Sequence, residues 1–416
     1  TGKPVYKKFA SGLHEPLGLA LQNGDLYTVQ RTELTRLRDI DGDGRADEYL
    51  THAKGWGVTG NYHEYAYGPA IDQEGNMWVA LNCSIGKGSN PNNQWRGWSL
   101  RVKPDGSWSP MTGGFRSPSG IGTNLAGDVF ATDQQGNWYA TCTLMHVKEG
   151  VFHGHADALQ FTKLPGATFQ VKQPLPRNLT VAEAAKRIPA YHLPAVWFPY
   201  RKLGMSTTDI LVDRTQGMFG PFAGQLFCGE FTMSFVSRVF LEKVEGEYQG
   251  ACFRFRDGLD CAALRLQWGT DGSMYIGQSN RGWNSLGTKS YGLQRLQWNG
   301  EVPFEIKTMS ARPDGFTLTF TRPVNSKSAT DAKSYMLSSY TYPYHSKYGG
   351  KETDLIKLTI KSITLDADKQ LVHLKLDGLR AGYVHELHAD GVRDSTGQPL
   401  IHKAAYYTLN RIPKKK

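Results

Sequence analysis

The chain has 416 residues, 39% hydrophobic and 12% aromatic, with 46 glycines and a formal net charge of +10. No stretch approaches the roughly eighteen consecutive apolar residues of a membrane-spanning helix. The positive charge is concentrated late: residues 303–416 carry 18 Lys+Arg against 11 Asp+Glu, with Lys414-Lys415-Lys416 at the end. No aromatic-basic motif accompanies it, which argues against nucleic-acid binding.

The chain opens at Thr1-Gly2-Lys3 without a charged start and an apolar run, so a signal peptide is expected to be absent or already removed. Short apolar runs such as Leu17-Gly18-Leu19-Ala20-Leu21, bounded by turn residues, then read as buried strands. Five segments read alike: Gly24-Asp25-Leu26-Tyr27, Gly75-Asn76-Met77-Trp78, Gly127-Asp128-Val129-Phe130, Gly224-Gln225-Leu226-Phe227 and Gly272-Ser273-Met274-Tyr275. Their glycines are 51, 52, 97 and 48 residues apart. The long step suggests one copy that is degenerate or carries an insertion, giving six units of roughly fifty residues, the period of four-stranded propeller blades. The expected fold is all-β: a six-bladed β-propeller over 1–302, followed by an immunoglobulin-like β-sandwich over 303–416. Function would sit in the funnel where blade-connecting loops converge.

Between the first and second copies, Asp39-Ile40-Asp41-Gly42-Asp43-Gly44-Arg45-Ala46-Asp47-Glu48 has the pattern of a calcium loop. Asp39, Asp41 and Asp43 alternate before a glycine that lets the chain turn; the Arg45 carbonyl and a carboxylate from Asp47 or Glu48 would complete an oxygen shell. No glutamate stands at position 12 of the loop, where an EF-hand closes its shell, and a structural role is expected for the ion. Asn61-Tyr62-His63-Glu64-Tyr65 follows, with His63 placed as a general base whose pKa lies near neutrality. Phe115-Arg116-Ser117-Pro118-Ser119-Gly120 puts Arg116 at the equivalent place one copy later. His146, His153 and His155 form a loose group, and His153-x-His155 would share one side of a strand as metal ligands or substrate contacts.

Inside the long interval, Thr180-Val181-Ala182-Glu183 reads as a capping box opening a short helix near 175–190, stopped by Pro189. The cysteines Cys83, Cys142, Cys228, Cys252 and Cys261 form no C-x-x-C pair. Cys228 reads as a buried inert thiol, and Cys252 with Cys261 as a pair able to bridge a hairpin. From Pro303 onward, alternation such as Phe316, Leu318, Phe320 and Val372, Leu374, Leu376 predicts about seven half-buried strands.

Over about residues 10–300 the sequence resembles the soluble pyrroloquinoline-quinone (PQQ) sugar dehydrogenases, including the glucose, aldose and sorbosone dehydrogenase-like proteins. Some members lie in large secreted planctomycete and verrucomicrobial proteins that carry immunoglobulin-like and haem modules. The resemblance implies His63 as the base that takes the substrate hydroxyl proton. It implies Arg116, Ser117, Gln135, Gly136 and Asn137 as cofactor-binding positions, with Gln134-Gln135-Gly136-Asn137 where the family's turn offers carbonyls to the calcium that polarises PQQ. A carbohydrate substrate, a c-type cytochrome acceptor, calcium and PQQ as cofactors, and a periplasmic or extracellular location follow from it. Two family features are missing: no lysine stands in Gly229-Glu230-Phe231-Thr232-Met233-Ser234, and Ala262-Ala263-Leu264-Arg265 replaces an Arg-x-Arg-Asp run. Arg265, Arg281 or Lys289 would have to substitute. Two other readings stay open: a uronic-acid polysaccharide lyase using His63, Tyr62 or Tyr65 with Arg116, and a non-catalytic carbohydrate- or protein-binding propeller.

Overall fold

The computed structural model describes residues 5–86 and 92–415, and the chain is mostly β, with 44% of residues in strands and 5% in helices. The first sheet comprises β1 (Leu19–Gln22), β2 (Asp25–Val29), β3 (Glu33–Arg38) and β4 (Glu48–Lys54). The second comprises β5 (Ala66–Ile71), β6 (Met77–Leu81), β7 (Trp98–Val102) and β8 (Trp108–Gly113). In the third, β9 (Pro118–Thr123), β10 (Val129–Asp133) and β11 (Cys142–His146) precede a long insertion holding β12 (Leu179–Thr180) and α1 (Val181–Arg187). The sheet then ends with β13 (Val196–Phe198). The fourth runs through β14 (Thr207–Val212), β15 (Leu226–Glu230), β16 (Phe235–Val244) and β17 (Glu247–Arg256), and the fifth through β18 (Ala263–Trp268), β19 (Met274–Ser279) and β20 (Tyr291–Leu296). Each is an antiparallel meander.

The five glycine motifs mark the five sheets one for one. Gly24, Gly75, Gly127, Gly224 and Gly272 sit in the turns between first and second strands with φ of +85°, +81°, +84°, +84° and +74°, a conformation open mainly to glycine. Asn23 at φ +52° and Gly24 form a two-residue hairpin closed by Gln22 and Asp25. The sixth unit expected inside the long interval is therefore corrected: among the described residues there are five such sheets, and the extra residues insert between β11 and β13. The capping box is as expected. Thr180 Oγ1 accepts from the Glu183 amide at 3.2 Å and Glu183 Oε2 accepts from the Thr180 amide at 2.8 Å.

First strands lie side by side in chain order, β1, β5, β9, β14 and β18. They approach so closely that a Cβ on Gly120 would fall 2.2 Å from the Thr208 carbonyl. Arg265, on β18, ties this centre together. Its Nη1 donates to Ser119 O at 3.0 Å and its Nη2 to Leu17 O at 2.6 Å, and its guanidinium lies 5.2 Å from the Tyr67 ring. It links the fifth sheet to the first, second and third. Leu19, Leu21, Tyr291 and Leu293 on the first and fifth sheets are nevertheless exposed, while β6, β10 and β15 are buried throughout.

The remaining strands are β21 (Ile306–Arg312), β22 (Gly315–Phe320), β23 (Met336–Thr341), β24 (Pro343–Tyr344), β25 (Thr353–Lys357), β26 (Thr359–Leu365), β27 (Leu371–Asp377), β28 (Tyr383–His388) and β29 (Ala404–Leu409). They form a sheet β21-β22-β27-β26 and a layer β29-β28-β23-β25, with a shared core that includes Phe316, Leu318, Val372, Leu374, Leu337, Leu387, Tyr407 and Leu409. This part continues the fourth sheet: β17 pairs with β29 (Gly250↔Thr408, Cys252↔Tyr406), making one eight-stranded sheet. All five cysteines are free and buried, so Cys252 and Cys261, read as able to bridge a hairpin, do not do so. Cys252 lies in the middle of β17, its thiol 3.5 Å from Trp197 O, whereas Cys261 precedes β18 in the next sheet.

Candidate functional site

In a meander, alternate connections fall at opposite ends of the strands. The β1–β2, β3–β4, β5–β6, β7–β8 and β9–β10 turns share one end, here the hairpin end. The β2–β3, β4–β5, β6–β7, β8–β9 and β10–β11 connections share the other. His63 lies in the β4–β5 connection, Arg116 and Ser117 in β8–β9, and Gln135, Gly136 and Asn137 in β10–β11. All the expected catalytic and cofactor residues therefore occupy the connection end. The Asp39–Glu48 loop joins β3 to β4 and occupies the hairpin end.

His63 is half-buried, its amide donating to Asn61 Oδ1 at 2.9 Å and its ring edge-to-face with Tyr62 at 5.4 Å. Burial lowers its pKa, and the nearby positive charges of Arg116 and Arg31 lower it further. The imidazole is thus neutral at neutral pH, the form a general base needs. Arg31, itself buried, fixes this connection by donating from Nη1 to Asn61 O at 2.9 Å and from Nη2 to Tyr62 O at 2.6 Å. Its guanidinium lies 4.5 Å from the Tyr65 ring and its Nε pairs with Glu15. Arg96, 1% exposed, donates to three carbonyls, Gly57, Tyr65 and Arg31, each at 2.7 Å. Beside it, buried Glu64 accepts from the Thr59 amide at 2.6 Å and from Ser84 Oγ at 2.5 Å. Burial opposes ionisation of Glu64, but those hydrogen bonds outweigh it and hold its pKa below the ordinary value.

Arg116 is held by its backbone and leaves its side chain partly unengaged. Its amide and that of Ser117 each donate to the Asp133 carboxylate at 2.7 Å. Asp133 is fully buried, and that burial pushes its pKa up to about 6 against the opposing pull of these amides. Arg116 Nη1 donates to Gln135 O at 3.2 Å, and its buried Nε has no partner among the described residues. Gly136 packs on the guanidinium so tightly that a Cβ there would lie 1.9 Å from Nε. Tyr348, from the last 114 residues, has its ring 5.3 Å from the Arg116 guanidinium. The segment around it laces onto the connection: Gly349 N donates to Gly136 O at 3.0 Å, Trp138 N to His345 O at 3.0 Å and Asn137 Nδ2 to Ser346 O at 2.8 Å. The C-terminal part thus touches the candidate site.

The cations that could replace the missing cofactor contacts are engaged elsewhere. Arg265 links first strands, Arg281 pairs with Glu15 at 2.9 Å and Lys289 with Asp260 at 2.8 Å. Thr232, where the family has lysine, meets Ser206 Oγ at 3.1 Å.

The histidine group does not assemble as expected. His153 and His155 lie in irregular backbone. His153 is fully buried with neither ring nitrogen partnered among the described residues, against Phe115 at 4.7 Å. His146 sits 3.8 Å from Asp128 at the other end of the third sheet. His155 instead joins Cys83 and Asp157, and burial followed by the Arg116 charge pushes its pKa down to about 3. Cys83 was legible only as a thiol outside any C-x-x-C pair, and its partners stand more than 70 positions away.

In the hairpin-end loop, one carboxylate oxygen from each of Asp39, Asp41 and Asp43 lies within 4.8 Å of the others. Asp39 accepts from the Gly42 and Gly44 amides at 2.9 Å, and Asp47 accepts from Ile40 N at 2.7 Å, closing the loop. The Arg45 amide donates to Asp43 Oδ1 at 2.8 Å. Glu48 does not join: it pairs with Arg38 at 2.9 Å across the β3–β4 ladder.

No helix among the described residues is long and apolar enough to cross a membrane. No curated protein matches the sequence. Among solved structures, the chain is similar to a glucose dehydrogenase at 15% identity and a TM-score of 0.44, over 72% of this chain and 87% of that one. A putative oxidoreductase (glucose dehydrogenase) from Thermus thermophilus gives 16%, 0.41, 68% and 97%. The PQQ-bound aldose sugar dehydrogenase of Streptomyces coelicolor gives 14%, 0.37, 71% and 97%. A family model described as a domain of unknown function, DUF7133, matches residues 5–259, and the chain belongs to that family.

Proposed function

We propose that this chain is a periplasmic or extracellular sugar or polyol oxidoreductase on a five-sheet propeller with an immunoglobulin-like sandwich fused to its fourth sheet. The observation that carries this reading is the convergence of a neutral His63 with Arg116 at the connection end. His63 removes a proton from a substrate hydroxyl, while Arg31 and Arg116 stabilise the alkoxide that develops. The tyrosines Tyr62 and Tyr65 beside His63 offer flat faces for a sugar ring.

For PQQ, the residues fit in one respect and not in another. Arg116 supplies a cation beside His63, the charge a carboxylated quinone needs, although Gly136 closes off its Nε. When bound, such a quinone supplies the hydride acceptor. A calcium ion on the carbonyls of residues 135–137 does not fit: Gln135 O accepts from Arg116, and Gly136 O accepts from both Tyr139 and Gly349. Calcium fits the Asp39–Asp47 loop instead, as a structural ion at the hairpin end. A c-type cytochrome is the electron acceptor in this reading.

A second reading is favoured by the two arginines whose charges bear on His63. Arg31 and Arg116 would neutralise a uronate carboxylate while His63 or Tyr62 abstracts the adjacent proton in a β-elimination. One assay separates the two: dye-linked oxidation of a sugar and polyol panel with added PQQ, run beside ultraviolet detection of unsaturated products from polyuronates. Dye reduction that needs PQQ and vanishes in His63→Ala supports the oxidoreductase. Unsaturated product without PQQ establishes the lyase, and ligand binding without either product leaves the propeller a binding module.

A further inference from the structure

A thiol, an imidazole and a carboxylate converge on the connection end from two distant stretches of chain. Cys83 lies between β6 and β7, and His155 and Asp157 lie in the third-sheet insertion. One donor atom from each stands within 4.8 Å of the others. Cys83 and His155 are 1% and 3% exposed, whereas Asp157 faces solvent.

Backbone hydrogen bonds fix this arrangement beside Arg116. The Cys83 amide donates to Arg116 O at 2.9 Å and the His155 amide to Gly114 O at 2.9 Å. The Tyr139 ring stacks on His155 at 6.4 Å, its hydroxyl held by Gly114 O at 2.5 Å and His153 O at 2.8 Å. Asp157 meets His155 through its backbone amide, 3.4 Å from Nδ1, a contact at the long limit of a hydrogen bond. A nucleophilic triad would need the Asp157 carboxylate on the imidazole; no such bond occurs among the described residues.

The donor set is that of a transition-metal centre. Sulfur, nitrogen and oxygen ligands at about 2.0–2.3 Å are those that zinc takes. Two anionic ligands offset a divalent charge. The Arg116 charge favours both anions, against the burial that raises the pKa of the thiol and of the carboxyl. The Asp39 loop offers oxygen donors only, which suits calcium rather than a thiophilic ion.

We propose that Cys83, His155 and Asp157 bind one zinc-type divalent ion, with a fourth position left to water or substrate. Three protein ligands with an open position is the pattern of catalytic rather than structural zinc. Binding converts the Cys83 thiol to thiolate and releases its proton to solvent, so affinity rises with pH. This inference goes beyond the oxidoreductase reading and does not depend on it.

The test is a cobalt(II) titration of the metal-stripped full chain, read by thiolate-to-cobalt charge-transfer absorption and by the visible bands of a four-coordinate ion. The Asp39 loop cannot produce the first signal. The expected result is one equivalent of cobalt per chain with the thiolate band, displaced by zinc. The band is lost in Cys83→Ser, and apparent affinity falls at least roughly tenfold in His155→Ala and Asp157→Asn. Because Cys83 is buried and its variant can fail to fold, the exposed Asp157→Asn is decisive where circular dichroism shows the fold intact. Absence of a thiolate band at saturating cobalt would overturn the proposal, as would a band of unchanged affinity in folded Asp157→Asn. A chain that shows the band but oxidises no sugar defeats the oxidoreductase reading and leaves the metal site standing.

Discussion

The two ends of the sheet array are built by different physics. At the hairpin end, turns such as Asn23-Gly24 are short, local and left-handed, and their carboxylates are satisfied within the turn: Asp105 accepts from the Ser107 amide at 2.9 Å, and Asp271 from the Ser273 amide at 3.0 Å. At the connection end the links are long, and buried polar groups reach across several of them. Arg96 satisfies three carbonyls, and Asp133 gathers the amides of Arg116, Ser117 and Gln134. An end made of local turns needs little from the rest of the chain. An end made of long connections must be tied down by buried charge, and that same charge creates a site.

The largest effect expected from this contrast is catalytic. His63→Ala should lower turnover by about 10²–10⁴-fold, the range for removing a general base, with the circular dichroism spectrum unchanged. Next comes the scaffold of the same end. Arg96→Ala leaves three buried carbonyls without their donor and should cost about 3–5 kcal/mol, read as a lowered urea midpoint.

The hairpin end has its own pH signature. Burial, with the neighbouring His192 charge, pushes the His146 pKa down to about 4, partly opposed by Asp128 and Glu247 while Lys148 adds to the lowering. The folded pKa lies below the unfolded value, so this contribution to stability is complete above about pH 6.5 and is lost as the pH falls toward 4. The loss should approach about 3 kcal/mol, and His146→Gln should flatten that part of the stability profile. The smallest effect is at a single turn. Gly24→Ala has open space around the new methyl but forces alanine to φ +85°, for about 1–2 kcal/mol. If Gly24→Ala cost as much as Arg96→Ala, the distinction between a local and a cross-tied end would fail.

The same contrast explains what the sequence made legible. Local rules exposed the five glycine turns, the Asp39 loop and the Thr180–Glu183 capping box, because each is complete within about ten residues. The sixth sheet was an error of arithmetic on a true signal: spacing alone cannot separate a weak repeat from an insertion between β11 and β13. His63 and Arg116 were legible as candidates because they stand in equivalent connections of successive sheets. Cys83, Arg31 and Tyr348 were missed because their partners are remote in sequence. Tyr348 reaches Arg116 from more than 230 positions away, on a C-terminal part joined to the fourth sheet by the β17–β29 pairing, a register that alternation in either strand does not announce.

The most direct measurement compares substrate turnover in the unaltered chain, in His63→Ala and Arg116→Ala at the connection end, and in Asp105→Asn at the β7–β8 hairpin. Each variant is first checked for an intact fold. Turnover should collapse in the first two and persist in the third. Full turnover in a folded His63→Ala, or its loss in a folded Asp105→Asn, would contradict the placement of the chemistry at the connection end.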